Sequence, residues 1–407
     1  MSQISSIKRN TPIGVLTLNP NYGGGILSVI NETYKILTTG GYDPTFIFLS
    51  DRLSDNMSWH RLKFSAGNSE DLIRDIKVIR IGVRHLPIEF GHYRYNLDLW
   101  KEALSKFDIF LGIGGTVNCA LPLALLAKPF VLWFSATMLD DAEIEASTRK
   151  CLSRLWKNYQ LQKMHQDETL ILSKSKSIIA QSEHTRNKIL EDRPKLNERI
   201  SVIPVPIDTN IFCPKEPNIN NSAKYLLYVG RLSDPRKNIC LLYDAFTIVQ
   251  KTFPEIELWM VGENSAKESG NFFGSNLITQ TNIKILSEVK SDELINIYQN
   301  ASILLISSWQ EGLGLTGLEA MACGIPVIST DCGGPKDYII DGKNGFLVPL
   351  NNPKIMAAKI QVLLGNDPLR IKMGNQARAT VHLRYSRKSI SIDLLRNLKQ
   401  LDSGTLN

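Results

Sequence analysis

Tyr225-Leu226-Leu227-Tyr228-Val229-Gly230-Arg231-Leu232-Ser233-Asp234-Pro235-Arg236-Lys237-Asn238 opens the second half of the chain in the manner of a first half. A run of hydrophobic residues closed by a glycine and a polar loop reads as a strand buried on both faces. Leu242, Ala245, Phe246 and Val249 then recur at helical spacing, completing a strand, turn and helix. The same plan stands near the start. Ile13-Gly14-Val15-Leu16-Thr17-Leu18 reads as a strand, Asn19-Pro20-Asn21-Tyr22-Gly23-Gly24-Gly25 as a turn, and Ile26, Val29, Ile30, Thr33 and Leu37 lie near one helical face. The chain starts over halfway.

Between these openings, apolar runs at 46–49, 78–81, 109–112, 130–134, 177–180 and 200–205 alternate with helical patterns. The second half repeats the alternation with 257–261, 283–286, 303–306 and 327–329. Alternation of this kind gives parallel sheets covered on both faces, so the chain is expected to be α/β, with two Rossmann-like doubly wound domains. Four prolines between Pro204 and Pro217, followed by the polar Asn218 to Ser222, mark the boundary. The expected division is 1–205, 206–385 and a terminal helix at 386–407. Open parallel sheets bind ligands beyond the carboxyl ends of their strands, so two such domains facing across a cleft suit a reaction with two substrates.

Composition sets the wider frame. At 407 residues, 43% hydrophobic and 21% charged, the chain is long enough for two cores and shows no extended disordered tract. The uncharged runs 10–31 and 109–127 are interrupted by Gly, Asn and Pro and are not read as membrane spans. Lys8 and Arg9 precede a segment that breaks at Asn19-Pro20 without a cleavage site, so a cytoplasmic protein is expected. The six cysteines show neither C-x-x-C nor metal-ligand spacing, so neither a disulfide framework nor a metal is expected. Net charge is +7, and the excess is regional: 149–199 holds twelve Lys/Arg against six Asp/Glu. Within it Leu152, Leu155, Trp156 and Tyr159 share one helical face opposite Lys150, Arg154 and Lys157. That pattern fits a packed helix with a solvated outer face, or peripheral contact with an anionic membrane. No nucleic-acid-binding pattern is present.

The segment Ser307-Ser308-Trp309-Gln310-Glu311-Gly312-Leu313-Gly314-Leu315-Thr316-Gly317-Leu318-Glu319-Ala320-Met321-Ala322-Cys323-Gly324-Ile325-Pro326 carries the chemistry. Gly312, Gly314 and Gly317 spell G-x-G-x-x-G, with Asp331 downstream, which alone would indicate an NAD-dependent oxidoreductase. That reading is rejected, because Ser308 to Glu311 separate the glycines from the strand and Glu311 would repel a pyrophosphate. Glu311 before the turn and Glu319 within the helix can instead accept hydroxyls of a sugar or ribose. The free N–H groups at Leu313, Gly314, Leu315 and Thr316 can hold a phosphate between them. Arg231 and Lys237 place two cations at the end of the strand opening the second half, suited to a leaving diphosphate. Arg236 is read as surface charge. Gly23, Gly24 and Gly25 lack the lysine and spacing of a P-loop but permit close approach of backbone to a ligand.

The glutamates eight apart in E-G-L-G-L-T-G-L-E-A-M-A-C-G-I-P-V-I resemble the signature of the retaining, nucleotide-sugar-dependent glycosyltransferases of family 4, which have the GT-B fold. Ile179 to Thr185, Val202-Ile203-Pro204 with Asp208 and Phe212, and Asp331-Cys332-Gly333-Gly334-Pro335 extend the likeness over most of the chain. The resemblance implies a transferase moving a hexosyl unit from a UDP- or GDP-sugar to a glycan, glycolipid or small-molecule hydroxyl, with retention and without a metal or other cofactor. It implies that Glu311 contacts the transferred sugar, Glu319 the ribose, Arg231 and Lys237 the diphosphate, and the backbone near Leu315 and Thr316 the phosphates. Gly23 to Gly25 would face donor and acceptor, and the terminal helix from Ser386 would cross back to the first domain. An NAD-dependent oxidoreductase using the Gly312, Gly314 and Gly317 turn and a catalytically silent partner-binding protein on the same fold remain as alternatives. Two departures stand out. Phe130 to Thr137 offers Ser135 where many members carry a histidine, and Ser287-Glu288-Val289 stands where a glycine is common near the base. The six histidines are read as surface or structural groups.

Overall fold

The computed structural model describes residues 10–22, 25–52, 56, 66–83, 97–137, 154–215, 225–262, 282–287 and 289–402. They fall into two compact units, one of residues 1–204 with 390–407 and one of residues 205–389.

The first unit contains β1 (Thr11–Leu16), α1 (Ile26–Thr39), β2 (Tyr42–Leu49), β3 (Ser69–Ile73), β4 (Ile76–Ile81), α2 (Leu97–Leu104) and β5 (Ile109–Gly114). It continues through α3 (Leu121–Leu125), β6 (Phe130–Phe134), α4 (Arg154–Lys174), β7 (Ser177–Ala180), α5 (Glu183–Asp192) and β8 (Ile200–Val202). The strand order is β3-β4-β2-β1-β5-β6-β7-β8. All neighbours run parallel except β3, which folds antiparallel onto β4 at the edge. β3 escapes the sequence pattern because Ser69, Glu70 and Asp71 lack the apolar run of a buried strand. The central strands behave as a twice-covered sheet requires: all five residues of β6 are buried, and the Trp133 indole donates to the Ile203 carbonyl at 2.7 Å.

The second unit contains β9 (Tyr225–Val229), α6 (Ile239–Gln250), β10 (Glu257–Val261), β11 (Ile283–Leu286), α7 (Ser291–Asn300) and β12 (Ile303–Ile306). It ends with α8 (Leu315–Ala322), β13 (Val327–Thr330), β14 (Gly345–Val348), α9 (Pro353–Leu364) and α10 (Asp367–Arg384). The order β11-β10-β9-β12-β13-β14 is the 3-2-1-4-5-6 order of a Rossmann sheet. Leu226, Leu258, Leu305 and Ile328 pack with Leu242, Phe246 and Ile360 in its core. Burying each such side chain contributes about 1.5–3 kcal/mol. α11 (Arg387–Asp402) ends the described chain, and its residues from Ile390 onward belong to the first unit, where Asn397 accepts from the Ser177 hydroxyl at 2.7 Å.

Among the described residues no helix is long and apolar enough to cross a membrane. Cys119, Cys213, Cys240, Cys323 and Cys332 are free thiols. The apolar face proposed for 150–159 lies outside the described side chains.

Gly317 is closely packed in α8. A Cβ there would lie 2.3 Å from Tyr338 Oη and 3.0 Å from Ile306 Cδ1. Alanine improves a helix interior by about 1 kcal/mol, but a forced contact in a packed core costs about 1–3 kcal/mol. We therefore expect Gly317→Ala to lower the thermal midpoint, and by less in a Tyr338→Phe background that removes the nearest atom. An equal loss in both backgrounds would show that this contact is not the cause.

Candidate functional site

In the second unit the order of strands reverses between β9 and β12, which pair through Ile303↔Leu226 and Leu304↔Leu227. Loops leaving these two strands therefore emerge side by side beyond their carboxyl ends, where open α/β sheets bind ligands. One loop carries Gly230 to Asn238 and the other Ser307 to Gly314.

The first loop is organised by Asp234. Its carboxylate caps the turn at Arg236 N (3.0 Å) and receives the Arg236 guanidinium as a fork, Nε to Oδ1 at 3.0 Å and Nη2 to Oδ2 at 2.7 Å. Arg231 Nη2 donates to the same carboxylate at 2.9 Å. Burial works against the charged form, but hydrogen bonds and charge from Arg236, with Arg231 adding to them, bring the Asp234 carboxyl down to about 2. Arg236 is thus a structural anchor rather than free surface charge. Arg231, by contrast, keeps 41% of its side chain exposed. Asn238 takes a left-handed turn (φ 47°) and starts α6, ending the loop just after Lys237.

Lys237 reaches across to the second loop. Its Nζ lies 2.6 Å from Glu311 Oε1, although the residues are 74 apart in sequence. The loops are joined at two further points: Ser307 Oγ donates to the Lys237 carbonyl at 2.7 Å, and Trp309 N donates to the Arg236 carbonyl at 2.8 Å. The Ser308 hydroxyl donates to Glu311 Oε1 at 2.6 Å. The Glu311 backbone is fixed too, because its N–H donates to Cys332 O and its carbonyl accepts from Gly334 N, both at 2.8 Å.

After Glu311 the chain turns through Gly312, the buried Leu313 and Gly314 into α8. Gly314 has φ 80°, a conformation that favours glycine, and its carbonyl accepts from Tyr338 Oη at 3.0 Å. Leu315 and Thr316 fall in the first helical turn, whose N–H groups have no intrahelical acceptor and see the positive end of the helix dipole. This is a place where an anion can sit.

Glu319 lies further along α8 and is buried. Its Oε2 accepts from Tyr298 Oη at 2.8 Å, and Tyr298 meets Phe212 edge to face at 5.9 Å. Burial outweighs that hydrogen bond and raises the Glu319 carboxyl to about 7. Burial, with the Glu319 charge beside it, also pushes the Tyr298 hydroxyl well above its ordinary value, so Tyr298 remains a donor.

The structure thus brings Lys237 into contact with Glu311, sets Arg231 on Asp234 and sets Glu319 on Tyr298. Asp234, Tyr298, Ser308 and Tyr338 were not singled out by sequence. Asp234 and Ser308 carried a signal, their places inside the two quoted segments. Two more buried polar atoms, Tyr228 Oη and Asn238 Nδ2, have no hydrogen-bond partner among the described residues. The dinucleotide reading meets a geometric obstacle: β12 ends at Ile306 and the helix begins at Leu315, so the glycines do not turn directly from strand to helix.

In the first unit Gly25 adopts φ 81° and precedes α1, while Gly23 and Gly24 lie outside the described residues. The Ser135 hydroxyl donates to the Gly115 carbonyl at 3.0 Å. Glu288 lies outside the described residues. Among the described residues no group of three or more His, Cys, Asp or Glu could hold a metal ion.

Comparison with known proteins finds likenesses in sequence and in fold. The family described as glycosyl transferases group 1 matches residues 211–380. The capsular polysaccharide biosynthesis glycosyltransferase CapM of Staphylococcus aureus is 29% identical over 228 residues, 52% of this chain and 58% of the relative. The D-inositol 3-phosphate glycosyltransferase of Corynebacterium glutamicum is 29% identical over 196 residues, 44% of this chain and 47% of the relative. The chain thus spans about half the length of the curated relatives it matches. Among solved structures, sucrose-phosphate synthase from Thermosynechococcus elongatus superposes with a TM-score of 0.75 at 17% identity, over 97% of this chain and 100% of that one. That likeness shows the fold, which is GT-B.

The raised Glu319 carboxyl makes stability depend on pH in a known direction. Because its folded value lies above the ordinary 4.5, its contribution is fully present below about 4.5 and is lost as pH rises through about 7. The expected loss is on the order of 3 kcal/mol. Denaturant titrations from pH 4.5 to 8 should show Glu319→Gln gaining steadily on the wild type. A constant difference across that range would contradict the assignment.

Proposed function

We propose that this chain, whose residues 211–380 match the family described as glycosyl transferases group 1 and whose fold is GT-B, moves a hexosyl unit from a UDP- or GDP-sugar to an acceptor hydroxyl with retention at the anomeric carbon. The observation that carries the proposal is the meeting of Lys237 and Glu311 at 2.6 Å beyond the carboxyl ends of β9 and β12, next to the N-terminus of α8. A nucleoside diphosphate sugar needs both kinds of group: donors for its anionic middle and acceptors for its hydroxylated ends.

In this reading Arg231, Lys237 and the N–H groups at Leu315 and Thr316 bind the diphosphate and stabilise the charge that develops as the glycosidic bond breaks. Glu311 accepts a hydroxyl of the transferred sugar, and Gly312, Leu313 and Gly314 bring the backbone close to the donor. Glu319 accepts the ribose hydroxyls. No enzyme nucleophile is assigned. The departing phosphate takes the proton of the attacking acceptor hydroxyl, so Glu311 positions and polarises rather than forming a bond. Gly23 to Gly25 in the first unit serve the phosphates and the acceptor, which is a glycan, a glycolipid or a small molecule. No metal or other cofactor takes part, and the enzyme works in the cytoplasm, with the basic region 149–199 as its contact if it docks on a membrane. The Anabaena HepE structure, a complex with UDP-glucose at 16% identity and TM-score 0.73 over 95% of this chain, makes UDP the first nucleotide to try.

Calorimetry against UDP, GDP, ADP and NADH, followed by mass spectrometry of nucleotide-sugar turnover, tests the class. Binding of UDP or GDP with sugar release supports it; NADH binding that neither nucleotide displaces would favour an oxidoreductase, and no nucleotide binding a catalytically silent scaffold. Glu319→Ala should weaken donor binding roughly ten- to a hundredfold, the worth of a hydrogen bond to a charged group. Lys237→Ala should lower kcat on the order of a hundredfold or more. Wild-type behaviour in both variants would overturn the assignments.

A further inference from the structure

We infer that Ser308 is a positioning residue of the donor site: its hydroxyl fixes one oxygen of the Glu311 carboxylate and thereby presents the other to the sugar being transferred. The inference rests on the reading of Glu311 as the sugar contact. Ser308 Oγ and Lys237 Nζ both lie 2.6 Å from Glu311 Oε1. A carboxylate oxygen offers about two lone-pair sites, so these two donors fill Oε1. Oε2 has no hydrogen-bond partner among the described residues, which leaves it as the acceptor for an incoming hydroxyl.

Ser308 is equipped to hold that orientation. It is buried, and its carbonyl accepts from the Thr330 hydroxyl at 2.6 Å, so the residue is fixed through backbone and side chain together. Ser307 turns its hydroxyl the other way, onto the Lys237 carbonyl at 2.7 Å. The adjacent serines thus tie the segment after β12 both to the carboxylate and to the loop of its cationic partner. An unrestrained glutamate would surrender rotamer freedom when the sugar arrives; one already held surrenders less, and binding gains the difference. The effect is confined to the sugar, because Ser308 touches neither Arg231 nor the first turn of α8 in the hydrogen bonds observed.

The test compares binding of UDP-glucose with UDP, and of GDP-mannose with GDP, by calorimetry in the wild type, Ser308→Ala, Ser308→Thr and Glu311→Gln. Ser308→Ala should weaken the nucleotide sugar roughly tenfold while leaving the free nucleotide within about twofold, and Ser308→Thr, which keeps the donor, should restore most of the loss. Should the alanine variant not fold, Ser308→Cys, close in volume and a weak donor, should show the same selective loss. Equal weakening of sugar nucleotide and free nucleotide would mean a merely structural role, and no weakening of either would also overturn the inference. If Glu311→Gln lowers the sugar preference and Ser308→Ala does not, only the role of Ser308 falls. If neither variant changes it, the reading of Glu311 falls as well.

Discussion

The pairing of β9 with β12 is the constraint on which the site in the second unit depends. Four residues in register join two strands far apart in sequence, and the strand order reverses there. Chain connectivity has no say in which loops meet at such a point; the sheet decides. Lys237 and Glu311 are neighbours because each follows one of these strands by a short interval. The bonds from Ser307 to the Lys237 carbonyl and from Trp309 N to the Arg236 carbonyl convert that adjacency into a fixed spacing.

Much of this architecture was legible in the sequence because parallel strands leave short, largely apolar runs. Phe130–Phe134, Ser177–Ala180, Glu257–Val261, Ile283–Leu286 and Ile303–Ile306 have the bounds that the pattern predicts. β3 was not legible, since an edge strand beginning Ser-Glu-Asp carries no such run and forms only because β4 offers it an open side. The C-terminal bound of the strand at Ile200 is also shorter in the structure than its apolar run, ending at Val202 before Pro204 and Pro206.

The site divides in the same way. Spacing and residue type pointed to Arg231, Lys237, Glu311 and Glu319, because an acid or base beside a glycine-rich turn is visible in one dimension. Their partners were not visible. Tyr298 reads as one more apolar position on α7, yet its hydroxyl is what Glu319 meets. Arg236 reads as one more loop cation, yet it grips Asp234 as a fork. Such pairings are set by where helices and loops are carried in space, and neither periodicity nor composition records them.

The charges at the switch point are already matched with one another. Lys237 sits on Glu311, while Arg231 and Arg236 share Asp234, so three cations face two carboxylates and one unit of positive charge is left over. A small inorganic anion arriving here meets one unit of net positive charge and must break existing contacts to reach the paired cations. A larger guest that brings hydroxyls for the acid as well as phosphoryl oxygens for the bases can replace every contact it disturbs. At these two loops the exchange of contacts therefore weighs more than the single unpaired charge.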